Sequence, residues 1–219
     1  MNGACPHKGM DGIILAGGQS RRMNGKPKAL LPFGGSRMLE RLLSRMSPVC
    51  GTLTVVAGTS KQAQAFAGAA IHTLVDRQPQ QGPLAALHLA LEQSNSERLQ
   101  WVTACDMPFL SAEAAVWMQQ RLQRSGSMAV VPEIGGKLHP LQAIYRPACA
   151  SAAATCLEDG SRGMMSLFHL IDVEILKETD FVDAGHDIRF AFNMNTPADY
   201  TQALMLENEM GTGMEGVCR

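Results

Sequence analysis

Apolar positions along the chain recur at two spacings, and the spacing switches from one segment to the next. Gly12 to Leu15 is a short apolar run that stops at Gly17-Gly18, the pattern of a buried strand followed by a tight loop. In Met38 to Met46, the residues Met38, Leu39, Leu42, Leu43 and Met46 share one face of a helix. Leu53 to Ala57 and Ile71 to Val75 read as a second and a third strand, closed by Gly58 and Asp76. Pro83 opens a helix through Glu92, at a position where an N–H would be unpaired anyway. Leu99 to Cys105 then reads as a strand, Ser111 to Arg124 as a helix and Met128 to Val131 as a fifth strand. Strands alternating with helices predict βαβ units and a mostly parallel sheet.

Beyond this point the order changes. Gly135-Gly136 predicts a hairpin or bulge before a strand over Leu141 to Tyr145. Ala148 to Leu157 and Met164 to Ile171 are apolar helical segments, and Val173 to Leu176 and Phe190 to Met194 read as strands. Asn193 and Asn195 alternate with Phe192 and Met194, so on a strand both amides share a face. Thr196-Pro197 starts a last helix, with Thr196 as N-cap and Asp199 near the capping-box position. The expected organisation is a disordered leader over 1–10, one α/β domain over 11–207 and a frayed tail over 208–219. The expected architecture is a Rossmann-like three-layer sandwich with a mostly parallel central sheet.

Composition narrows the function. Of 219 residues, 46% are hydrophobic, enough for a full core, and 19 Lys plus Arg against 20 Asp plus Glu leave a net charge of −1. That balance disfavours a globally basic nucleic-acid binder, so an anionic ligand must be held by a local site. No apolar run approaches the roughly 18 residues of a membrane helix, and nothing reads as a signal peptide. Six cysteines without a C-x-x-C pair argue for reduced thiols and a cytoplasmic protein rather than a disulfide scaffold or zinc site. The fourteen methionines mostly occupy apolar helical positions, and Trp101 and Trp117 read as core anchors.

The densest chemistry follows the first strand, in Leu15-Ala16-Gly17-Gly18-Gln19-Ser20-Arg21-Arg22-Met23-Asn24-Gly25-Lys26-Pro27-Lys28. Glycines let backbone N–H groups approach an anion, and Arg and Lys neutralise a polyphosphate. The plain alternative is a solvated basic loop. The segment lacks the G-x-G-x-x-G spacing, which disfavours a dinucleotide redox enzyme, and Pro27 after Gly25-Lys26 excludes a P-loop. Asp106 ends a strand, where it can hold Mg²⁺ or merely shape the turn before Pro108. Asp76 is open to two readings, a loop carboxylate that accepts hydrogen bonds from a guanine edge or a turn former.

The run LAGG-x-x-R-R-M-x-G-x-x-K resembles the signature loop of nucleotidyltransferases that join a nucleoside triphosphate to a phosphorylated acceptor. The similarity is greatest to the molybdenum cofactor guanylyltransferases. It continues through LVD (Leu74 to Asp76), GPLAAL (Gly82 to Leu87), CDMP (Cys105 to Pro108), HP (His139-Pro140) and NMNTP (Asn193 to Pro197). The resemblance implies a nucleotide-diphospho-sugar transferase type of fold. It also implies GMP transfer from GTP to the terminal phosphate of molybdopterin, with release of pyrophosphate.

Carried over residue by residue, it implies Asp106 as the Mg²⁺ ligand, with Asp106, Lys28 and Arg22 catalytic. Leu15, Ala16, Gly17, Gly18, Lys28, Asp76, Gly82 and Pro83 would bind nucleotide, and His139, Asn193 and Asn195 would face the acceptor. Transient contact with molybdoenzymes or their chaperones follows from the same resemblance, as do the absence of nucleic-acid and membrane partners. LAGG argues for guanine, since related cytidylyl-transferring enzymes typically carry LAAG. Two departures stand out: Pro27 where an Asp often precedes the lysine, and Val56-Ala57-Gly58-Thr59 where the family often has an Asn. Transfer of another base, another phosphorylated acceptor, and a non-catalytic cofactor-delivery protein remain the rival readings.

Overall fold

The computed structural model describes residues 9–18, 27–66, 71–76, 81–94 and 96–214, with side chains of the last helix described through residue 209. Most of the expected leader, Arg22 and residues 215–219 of the expected tail lie outside the described residues.

The first strand, β1 (Met10–Leu15), is buried along its whole length, so it lies in the centre of the sheet. Its side chains alternate between two cores: Met10 and Ile14 face one, Ile13 and Leu15 the other. A strand covered on both faces is apolar on both, hence the continuous run Ile13 to Leu15 rather than alternation; the buried Asp11 is satisfied by the Thr52 N–H at 2.8 Å. Parallel partners flank it: β4 (Cys50–Ala57) and then β5 (His72–Val75) on one side, β6 (Leu99–Ala104) on the other. Beyond β6 come β9 (Gln142–Tyr145), antiparallel, then β7 (Ala129–Ile134) and β10 (Val173–Lys177). The strand β8 (Lys137–Leu138) folds back on β7 through the Gly135-Gly136 turn. The sheet order is β10-β7-β9-β6-β1-β4-β5, mostly parallel as expected. A small separate hairpin pairs β2 (Pro32–Phe33) with β3 (Ser36–Arg37).

Helices cover both faces. Residues of α1 (Met38–Met46) and α4 (Ala112–Ser125) fill one core together with Trp101, which is 1% exposed. Residues of α3 (Pro83–Glu92), α5 (Cys149–Glu158) and α6 (Met164–Phe168) fill the other. His88 bridges α3 and α5 with Nδ1 3.2 Å from the Ala150 carbonyl, a packing role. Trp117 packs edge-on against Phe181, the buried residue of the short α7 (Glu178–Asp183).

One expected strand is absent. Ile188–Ala191 forms a 3-10 turn in place of the start of a strand over Phe190 to Met194. Asp187 accepts a hydrogen bond from the Arg189 N–H at 2.8 Å, which initiates the turn locally. The expected alternation survives without a ladder: Met194 is buried, while Asn193 and Asn195 are exposed. The last helix, α8 (Pro197–Met214), continues past Glu207, where the sequence reading ended it. Its N-terminus carries the capping box the sequence suggested. Asp199 Oδ2 accepts from the Asn195 and Thr196 N–H groups, both at 2.8 Å, and Thr196 Oγ1 accepts from Asp199 N–H at 3.2 Å. Among the described residues, no helix is long and apolar enough to cross a membrane.

Candidate active site

Because β1, β4, β5 and β6 run parallel, their carboxyl ends lie along one edge. That edge carries Gly17, Gly58, Asp76 and Asp106 just past the four strands. The chain leaves β1 for β4 and β5 on one side and returns to β6 on the other, so β1 and β6 flank a topological switch point, where open α/β sheets bind ligands. Backbone bonds fix the loops: Cys105 N–H donates to Leu15 O at 3.1 Å, Ala16 N–H to Val56 O at 2.9 Å and Asp76 N–H to Ala57 O at 2.8 Å. From β6 to β5 is three inter-strand spacings of about 4.8 Å, about 14 Å in all. Asp76 and Asp106 therefore stand at the two ends of a span suited to a nucleotide lying across the strand ends.

At the switch point three of the expected site residues meet. Lys28, in a 3-10 turn over Lys28–Leu30, donates from Nζ to Asp106 Oδ2 at 2.8 Å and to Asn195 Oδ1 at 3.2 Å. The Lys28 and Asp106 side chains are only 14% and 16% exposed, so the pair is partly shielded from water. Asn195 reaches it because Met194 N–H donates to the Asp106 carbonyl at 2.9 Å. Asp106 Oδ1, in contrast, is buried and has no hydrogen-bond partner among the described residues. A buried, unsatisfied carboxylate oxygen costs free energy unless something cationic binds it. A lone carboxylate oxygen of this kind is the donor a divalent cation would take, such a cation keeping water and phosphate oxygens as its remaining ligands.

Two glycines sit at close approaches. A Cβ on Gly17 would stand 3.3 Å from the Gly58 backbone, a tight contact, so the loops after β1 and β4 meet with least strain where neither residue has a side chain. Gly82 has φ 82° as the N-cap of α3, and a Cβ there would collide with the Arg162 carbonyl oxygen. Pro83 follows at the first helical position, as expected. The exposed Arg162 thus lies on the Asp76 side of the site. It lines a groove of about 510 Å³ together with Asp76, Gln81, His88 and Ser161. A second depression, about 600 Å³ between α1 and α4 around Trp117, contains none of the expected site residues.

His139 is not brought into contact with Lys28 or Asp106. It lies just before β9, on the side of β6 away from the nucleotide span, held by its N–H on the Pro132 carbonyl at 2.8 Å. Burial lowers its pKa, against a backbone hydrogen bond at Ile134, so the ring is neutral at pH 7. Cys105, beneath Asp106, is pushed up to about 12 by burial and then by the Asp106 charge, and stays a thiol. Thr59, after the departure at Ala57, caps α2 (Ser60–Ala65) by accepting from Gln62 N–H at 3.2 Å. Gln62 Oε1 in turn accepts from Gly58 N–H at 3.0 Å, bringing an amide to the rim beside Gly17. The sequence reading passed over Gln62, although the Thr59-x-x-Gln62 spacing of a capping box was there to be read.

These features agree with comparisons to known proteins. The profile described as "MobA-like NTP transferase domain" matches residues 12–175. A Carboxydothermus hydrogenoformans protein named "probable molybdenum cofactor guanylyltransferase" is 33% identical over 193 residues, 88% of this chain and 94% of its own. One of the same name from Pelotomaculum thermopropionicum is 32% identical, covering 92% and 95%. The crystal structure of molybdopterin-guanine dinucleotide biosynthesis protein A from Archaeoglobus fulgidus superposes with a TM-score of 0.79 at 24% identity. The match covers 91% of this chain and all of that one. It shows the expected fold of the nucleotide-diphospho-sugar transferase type. A central parallel sheet, a glycine loop after its first strand and a lysine–carboxylate pair at its switch point accord with this match over three-quarters of the sequence: the chain belongs to the MobA-like NTP transferase family of nucleotidyltransferases.

Proposed function

We propose that this enzyme transfers GMP from GTP to the terminal phosphate of molybdopterin, releasing pyrophosphate and forming molybdopterin guanine dinucleotide. The observation that carries the reading is Asp106, with Oδ2 on Lys28 and Oδ1 buried and unpartnered at the switch point. The named relatives, matched over more than nine-tenths of their own length, supply the substrates. They do not favour cytidylyl transfer or a non-catalytic delivery role.

A phosphate oxygen is already a nucleophile at neutral pH, so no Ser, His or Cys has to be activated; the protein's work is positioning and charge stabilisation. Bound at Asp106, Mg²⁺ supplies the positive charge that neutralises the reacting phosphates. The Gly17 and Gly18 backbone, with Leu15 and Ala16 behind it, cradles the triphosphate. Lys28 leaves Asp106 for the β- and γ-phosphates, a role the family motif also gives Arg22. Asp76 accepts from guanine N–H groups, with Gly82 and Pro83 closing that end. On the opposite side Asn193, Asn195 and the neutral His139 face the acceptor, where an uncharged imidazole suits a heterocycle better than a phosphate. Residues 11–207 act as one unit, and buried thiols at Cys105, Cys149 and Cys156 suit a reducing cytoplasm. Handover of product implies transient contact with molybdoenzymes or their chaperones.

The test is calorimetric titration of GTP, CTP, ATP and UTP with Mg²⁺, on the native chain and on Asp106→Ala. Selective GTP binding whose metal dependence is lost in Asp106→Ala supports the reading, and a turnover assay with molybdopterin follows. CTP bound as well as GTP overturns the base assignment.

A further inference from the structure

Arg41 is a buried cation lying off the apolar face of α1, its side chain only 9% exposed. Its guanidinium makes a bidentate pair with Glu207 of α8, Nη1 to Oε1 and Nη2 to Oε2, both 2.6 Å. It also lies over the Phe33 ring, 5.0 Å from the centroid. Fork and stacking together fix the guanidinium plane, which a lysine ammonium, a point charge on a flexible stem, would not do. With the plane fixed, Nε donates to one carbonyl, that of Pro108, at 2.9 Å. Pro108 is two residues beyond Asp106.

The turn that carries Asp106 is therefore held at two carbonyls on either side of Met107: Asp106 O by Met194 N–H, and Pro108 O by Arg41. Phe109 completes the clamp by packing edge-on against Phe33 at 5.9 Å and Phe192 at 5.8 Å. We propose that Arg41 is a positioning residue for the metal carboxylate, fixing the Asp106–Pro108 turn so that Oδ1 is presented to the cation. Glu207 serves to orient Arg41. Since an ion pair this buried is weak evidence for stability, positioning gives it a role that stability alone does not. The inference rests on the reading of Asp106 as the metal ligand.

The experiment titrates Mn²⁺ into the protein–GTP complex, followed by electron paramagnetic resonance, with thermal unfolding measured on the same samples. Arg41→Lys keeps a charge for Glu207 but loses the aimed Nε donor. It is expected to weaken Mn²⁺ binding about tenfold, the scale on which partners behind metal ligands act. Glu207→Gln removes the charge but keeps one oxygen accepting from the Arg41 fork, so the guanidinium stays aimed at Pro108; it is expected to lower the melting temperature while Mn²⁺ affinity stays within about twofold. Unchanged Mn²⁺ affinity in Arg41→Lys overturns the proposal, as does an equal loss in both variants, which would mark general loosening. Should Arg41→Lys not fold, the double variant Arg41→Met/Glu207→Met removes both buried charges together and carries the same readout. Asp106→Asn separates the two levels. If it retains Mn²⁺ affinity, the metal assignment itself fails; if it loses affinity while Arg41→Lys does not, only the role of Arg41 fails.

Discussion

Lys28 and Asp106 lie 78 positions apart, yet their side chains share one hydrogen bond, and Asn195 joins them from a further 89 positions along. Each was legible as a candidate from its motif. Their mutual contact was not, because no local pattern encodes which loops meet. Replacing Lys28 by Met removes the cation proposed to move from Asp106 to the triphosphate and is expected to lower kcat by about 10²- to 10³-fold. Steady-state assay at saturating GTP and Mg²⁺ checks this, with circular dichroism confirming the fold. Asp199 gives a pH prediction. Hydrogen bonds first from Thr196 N–H and then from Asn195 N–H hold its pKa below the ordinary value of 3.8. Its stabilising contribution is therefore fully present above that ordinary value and lost as the pH falls through the lowered one. Asp199→Asn should melt below the native chain at neutral pH, and the gap should narrow as the pH falls below the ordinary carboxylate value of 3.8, as read by thermal unfolding across the acid range. Equal melting temperatures throughout would remove the cap from the account.

Helices and strands with strong periodicity were readable: α1 and α3 span the residues their patterns predict. Elements that bury little were passed over. No residue of α2 is buried and α7 buries only Phe181, so neither leaves an apolar rhythm in the sequence. The β2–β3 hairpin has two residues per strand, too few for any alternation to register. The segment after Asp187 carried strand-like alternation but lies where β6 is already flanked by β1 and β9, so it turns instead. At this scale Gly82 is the sharpest test. Gly82→Ala puts a Cβ at φ 82° and against the Arg162 carbonyl. The backbone strain alone costs about 1–2 kcal/mol, and the collision adds to it. Denaturant unfolding should show the loss, and nucleotide affinity should fall because the start of α3 must shift.

For the whole molecule, the sheet order decides what the motifs can do together. A chain with the same strands in sequential order would separate Gly17 from Asp106 by two further strands. The switch between β1 and β6 makes them neighbours instead. Trp101, central in β6 and 1% exposed, is the largest side chain fixing that neighbourhood. Trp101→Ala is expected to cost about 3–5 kcal/mol in urea unfolding, since transfer and cavity terms add. A loss below about 1 kcal/mol would mean that the core repacks freely around β6.

The sequence by itself determined the alternation of strands and helices, the glycine loop, the strand-end carboxylates and the capped start of α8. Each of these is set by residues within a few positions of one another. Tertiary structure alone decided that Asp106 keeps one oxygen on Lys28 and leaves the other buried and unpartnered. It alone decided that Gly82 must clear Arg162, and that Arg41 on α1 reaches the Pro108 carbonyl. The physical reason is the same in each case: these contacts join segments distant along the chain. Their geometry follows from the strand order and the packing of helices on it, and is not written in the spacing of neighbouring residues.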